Sequence, residues 1–115
     1  MKVTKVYANS SLPLNLKKQI KWVLIGDNLI IGNIMDHTVM VMETLNPGLF
    51  QKDPMGGMQQ EMEYANQVIA AGIADINGNM VGWESTGFNK TTPDYMKKEL
   101  SDLIKQIISE ETLWQ

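Results

Sequence analysis

The spacing of apolar residues divides the chain into short runs of two periods. Residues 3–8, Val-Thr-Lys-Val-Tyr-Ala, are rich in β-branched and aromatic types and end at the turn formers Asn9, Ser10 and Ser11, which predicts a first strand. Leu16, Ile20, Val23 and Leu24 then recur at helical intervals behind a capping Ser11 and a first-turn Pro13, with Gly26 as a stop. A helix is expected there. Residues 29–34 and 38–45 read as an antiparallel hairpin turning at Met35, Asp36 and His37. In the second of these strands Val39 and Val41 would face one way and Met40 and Met42 the other. A strand apolar on both faces is covered on both, by helices or by a helix and a partner molecule.

Residues 46–57 hold two prolines, three glycines and Asp53 without periodicity, which predicts an exposed loop. Met58, Met62, Ala65 and Ile69 follow at helical spacing, closed by Gly72. Asn77-Gly78, between the strand-like runs 73–76 and 79–83, predicts a two-residue hairpin turn, because both positions favour positive φ. Thr92, Pro93 and Asp94 combine a cap, a first-position proline and a first-turn acid, and Met96, Leu100, Leu103, Ile104, Ile107 and Ile108 keep helical spacing behind them. The expected architecture is one α+β domain over residues 1–115, with a mostly antiparallel central sheet of about five short strands and three helices in the order β-α-β-β-α-β-β-α.

Composition narrows the function classes. At 115 residues, with 43% apolar and 20% charged positions, the chain carries enough apolar surface for one core. The absence of cysteine excludes a disulfide framework, a thiolate metal site and a cysteine nucleophile. No apolar run follows the N-terminal charges, so the reading is a cytoplasmic protein without a signal peptide, and residues 29–35 are too short a run to span a bilayer. All ten basic residues are lysine and the net charge is −3, so neither bidentate arginine forks nor the broad positive field of a duplex-DNA binder is expected.

Candidate chemistry is sparse, and no cofactor or metal is implied. His37, the single histidine, needs partners from elsewhere in the fold to act as a general base or ligand. Residues 75–79 lack the glycine and glutamate of a calcium loop, since Met80 and Thr86 stand at its sixth and twelfth positions. The pairings Glu84 with Glu61 and Glu63 with Asp94 have no spacing that brings them together. The segment from Trp83 to Thr92 is different. It places Trp83, Ser85, Thr86, Phe88, Asn89, Lys90 and Thr92 ahead of a helix N-terminus, a setting suited to an anion, with rings able to stack on a base. The other reading of that segment is an ordinary strand-to-helix connection. Met55, Met58 and Met62, beside the Gly/Pro loop, are candidates for an adaptable protein interface or for core filling. Trp114 is either a free end or a docked anchor.

The opening strand over residues 3–8, the turn at Ser10 and Ser11 and the Gly/Ser/Thr-rich segment before the last helix together resemble phage-encoded anti-defence proteins that sequester nucleotide signals. The likeness, in size and element order, is greatest to the Thoeris anti-defence proteins, which bind cyclic ADP-ribose-type molecules in oligomers. What the resemblance implies is a non-enzymatic, phage-encoded, homo-oligomeric sponge for a small nucleotide-type ligand. The missing arginine is a departure, leaving Lys90, Lys97 or Lys98 for the phosphates. Two further readings stay open: a protein-binding inhibitor or assembly module that engages a host protein through Met55, Met58 and Met62, and a small phosphodiesterase using His37.

Overall fold

A computed structural model describes residues 3–9, 19–32, 37–84 and 94–110. Within them the chain forms β1 (Lys5–Asn9), β2 (Gln19–Ile25), β3 (Asn28–Gly32), α1 (His37–Leu45), α2 (Leu49–Lys52), α3 (Pro54–Gln67), β4 (Val68–Asp75), β5 (Met80–Glu84) and α4 (Asp94–Ser109). The α+β class and the five-stranded sheet match the sequence expectation. Four helices are described rather than three, and their order differs.

The strands lie in the order β1-β3-β2-β4-β5, with β1 parallel to β3 and the remaining pairs antiparallel. In the central strand, β2, residues alternate between two cores. Ile20, Trp22 and Leu24 join Leu29, Ile31, Ala70 and Ala74 beneath Met96, Leu100, Ile104, Ile107 and Ile108 of α4. Val23 and Ile25 join Ile30, Val68 and Ala71 beneath Met40 and Val41 of α1, with Leu45 and Tyr64 at the margin. Covering both faces accounts for a β2 sequence that is apolar at nearly every position.

Four expectations are corrected. Residues 19–25, read as the second half of a helix, are β2; the first half of that helix, residues 13–18, lies outside the described residues. Tertiary burial on both faces overrides the helical spacing, and Gly26-Asp27 is a two-residue turn into β3, with Gly26 at φ 58° rather than at a helix end. Thr4 fastens β1 to that turn, its N–H donating to the Asp27 carbonyl at 2.8 Å and its hydroxyl to the Asp27 carboxylate at 2.5 Å.

Residues 38–45, read as a strand, belong to α1, and His37 is its half-buried first residue rather than part of a turn. Val39 and Glu43 mark the exposed side at i, i+4, and packing onto the sheet overrides the β-preference of Thr38, Val39 and Val41. The 46–57 loop is largely structured: it contains α2 and the first turn of α3.

The fourth correction concerns Gly72. The helix read as running to that residue ends at Gln67, and Gly72 is mid-strand in β4, pressed against Trp22. The hairpin and the last helix stand where the sequence places them, with α4 opening at Asp94, but the turn is a residue longer than expected: the Gly78 N–H donates to the Asp75 carbonyl at 3.0 Å and the Asp75 N–H to the Asn79 carbonyl at 2.9 Å, so the loop is 76–78, closed by Gly78 at φ 84°.

Candidate functional site

α3 is the element whose surface is out of balance with its packing. It starts because Asp53 caps it, the carboxylate accepting the Gly56 N–H at 3.0 Å, and because Pro54 fits the first turn. Its inner side is made by Gly57, buried, and by Gln60 and Tyr64, half-buried. Gly57 permits close contact with α2, since a Cβ there would lie 2.8 Å from the Phe50 ring. Tyr64 accepts a hydrogen bond from the Asn46 side-chain amide at 2.9 Å, tying α3 to the end of α1.

Glu61 and Ala65 are half-buried as well, at the margin of that side, while the large apolar side chains turn outward. Met55 is 83% exposed, Met58 63% and Met62 69%. With about 100° between successive helical residues, these three share an arc of about 60°. The stripe is therefore continuous along the outer face.

Of the other sequence candidates, Trp83 is in β5, its backbone paired with Gly72 of β4, and its side chain lies outside what is described. Ser85, Thr86, Phe88, Asn89, Lys90 and Thr92 also lie outside the described residues, as does Trp114. Lys97 and Lys98 are in the first turns of α4, where Lys97 reaches the Asp94 carboxylate at 3.9 Å. His37, at the start of α1, is engaged in contacts of its own. Among the described residues no three His, Cys, Asp or Glu side chains gather as a metal site would require.

The Asp75 turn is structural. Its carboxylate accepts the Asn77 and Asn79 N–H groups at 2.9 Å each and the Asn79 side-chain amide at 3.2 Å. The Asn79 N–H, more than any other contact, holds the Asp75 carboxyl below its ordinary 3.8, with the Lys105 cation adding to the effect.

One residue the sequence did not single out is Lys21, only 2% exposed in the middle of β2 and flanked by Gly32 and Ile73. By alternation it shares the face of Val23 and Ile25, and its side chain is engaged within the fold. A lone lysine among apolar strand residues was the available signal. None of the described helices is long and apolar enough to cross a membrane. No protein-family model, curated protein or solved structure matches this chain.

Proposed function

We propose that the chain is a non-enzymatic binding protein that engages another protein through the Met55, Met58 and Met62 face of α3. The outward exposure of all three side chains on one helix carries this reading. Singly exposed apolar residues are ordinary, but a contiguous stripe of flexible, polarizable thioethers is suited to a partner's irregular apolar surface. Covering it would remove apolar area from water at about 25 cal/mol per Å² without asking the fold to rearrange. The test compares the purified chain with a Met55→Ser, Met58→Ser, Met62→Ser variant of unchanged circular dichroism. A polypeptide held at fixed stoichiometry by the first, seen by native mass spectrometry after capture from host lysate, is lost by the second. A partner held equally by both would refute the reading.

A second reading is a sponge for a small nucleotide-type signal at residues 83–92, of the phage anti-defence kind. Its support is that β5 ends at Glu84 and α4 opens at Asp94, so the segment does lead from a strand to a helix N-terminus, where anions are favoured. Isothermal titration against adenine nucleotides and cyclic nucleotide signals tests it, and heat that persists in a Trp83→Ala, Lys90→Ala variant would count against that site.

A further inference from the structure

From the charge pattern around the methionine stripe we infer the partner's chemistry: α3 receives a basic, amphipathic helix of another protein rather than a second copy of this chain. The inference rests on the protein-binding reading above. Asp53, Glu61 and Glu63 are the charged residues of the segment 53–67, and no lysine accompanies them; the preceding cation, Lys52, belongs to α2. At about 100° per residue, Glu61 stands about 60° beyond Met58 on one side of the stripe and Glu63 about 80° beyond Met55 on the other. The apolar strip thus has one carboxylate on each flank, the half-buried Glu61 on one side and the exposed Glu63, beyond the amides of Gln59 and Asn66, on the other. Glu63 is exposed and takes a hydrogen bond from the neutral Gln60 amide at 3.2 Å, which leaves its charge uncompensated by that contact.

A second copy laid stripe to stripe would bring four glutamates to one seam with no cation from either α3. Like charges juxtaposed across an interface are selected against. A helix with apolar residues at i, i+3, i+4 and i+7 and lysine or arginine on both borders satisfies the same stripe and both flanks. The unbranched methionines leave the exact apolar side chains of that helix loosely specified, while the borders set the sign of its charge.

The test uses the full chain and two labelled model peptides with the same leucine spacing, one with lysine borders and one with glutamate borders, read by fluorescence anisotropy at low and high salt. The lysine peptide binds at least about tenfold more tightly than the glutamate peptide, a difference of about 1.4 kcal/mol, and weakens with salt. Its binding is lost in the triple Met→Ser variant, and the preference reverses in Glu61→Lys, Glu63→Lys.

Equal affinity for the two peptides, or a preference unmoved by charge reversal, would overturn the inference while the protein-binding reading stands. Failure to bind either peptide overturns it too, as does lysine-peptide binding that survives loss of the methionines. Self-association in sedimentation velocity that disappears in the triple variant would assign the stripe to a second copy. The broader reading fails separately, on a native partner retained by the triple variant.

Discussion

Gly72 and Gly82 face each other's strands across β4 and β5, yet alanine at the two positions is expected to act in opposite directions. A Cβ at Gly72 would sit 2.5 Å from the Gly82 carbonyl oxygen and 2.7 Å from Cζ2 of Trp22. Neither neighbour can yield cheaply. The oxygen is backbone of the paired strand, and the Trp22 ring is fully buried beneath α4, its indole N–H donating to the Met80 sulfur at 3.1 Å. Relieving the contact means spreading β4 from β5 or moving the largest side chain of the core, an overpacking cost of about 1–3 kcal/mol. Alanine also lowers unfolded-chain entropy, which returns about 0.4–1 kcal/mol. Gly72→Ala should therefore be destabilised by about 1–2 kcal/mol.

At Gly82 an added Cβ meets nothing within 4 Å, so only the entropic gain applies and Gly82→Ala should be neutral or slightly more stable. In urea, with a slope of about 1–3 kcal/mol/M, Gly72→Ala lowers the midpoint by about 0.5–1 M while Gly82→Ala leaves or raises it. A Gly72→Ala variant as stable as the parent, or a Gly82→Ala variant that loses as much, would refute the packing of β2, β4 and β5 described above. The contrast also separates this fold from one in which residue 72 closes a helix, since position 82 would then have no bearing on it.

Other outcomes are equally specific. Gly78→Ala combines φ 84° with a Cβ 2.7 Å from the Lys105 backbone, so it should cost about 2 kcal/mol or more, and an unchanged thermal midpoint would show that the hairpin does not dock on α4. Asp75 has a folded pKa below its unfolded value of 3.8, so its ionised turn contributes stability at pH values above that, lost as pH falls through the lower folded value. Asp75→Asn should thus lower the urea midpoint at pH 7 and narrow the gap between the midpoints at pH 7 and pH 3; an unchanged gap would remove the turn from the acid response. Dilute peroxide should convert Met55, Met58 and Met62 to sulfoxides well before the buried Met40 and Met42, as read by peptide mass mapping. Equal rates would contradict the outward orientation of the stripe.

What could be read from the residues follows from which constraints are local. The hairpin at 76–78 needs a residue that accepts positive φ, which Gly78 supplies, and the Asp94 helix start needs an acid and a proline; both requirements sit within a few residues, and both elements stand where they were expected. β2 fails that test. Its helical spacing at Ile20, Val23 and Leu24 is genuine, but so is burial of every residue from Ile20 to Ile25, and only the strands on either side decide between them. A local clue was present all the same: Gly26-Asp27 is a hairpin dipeptide, read instead as a helix stop. Asp53-Pro54 likewise spelled a cap and a first-position proline inside a stretch taken for loop. α1 gave no such clue, because Thr38, Val39 and Val41 are strand formers made helical by what they pack on.

The methionine face shows a subtler limit. Met58, Met62, Ala65 and Ile69 are spaced as the apolar side of a helix, with core and interface both open, and the helix is there as far as Gln67; Gly57, Gln60 and Tyr64 meet the fold and the methionines meet water. Periodicity reports that a helix has an apolar side; it carries no information about whether that side belongs to its own core or to another molecule's. Here the core beneath is already closed by Met40, Val41, Val68 and Ala71, with Tyr64 at its edge, so the sheet has no further need of the α3 methionines. A helix capped by Asp53, fastened through Asn46 and Tyr64 and brought close by a glycine is held in place without them. That surplus of apolar surface over what packing requires, bordered by Glu61 and Glu63, is the physical ground for assigning the face to a basic partner.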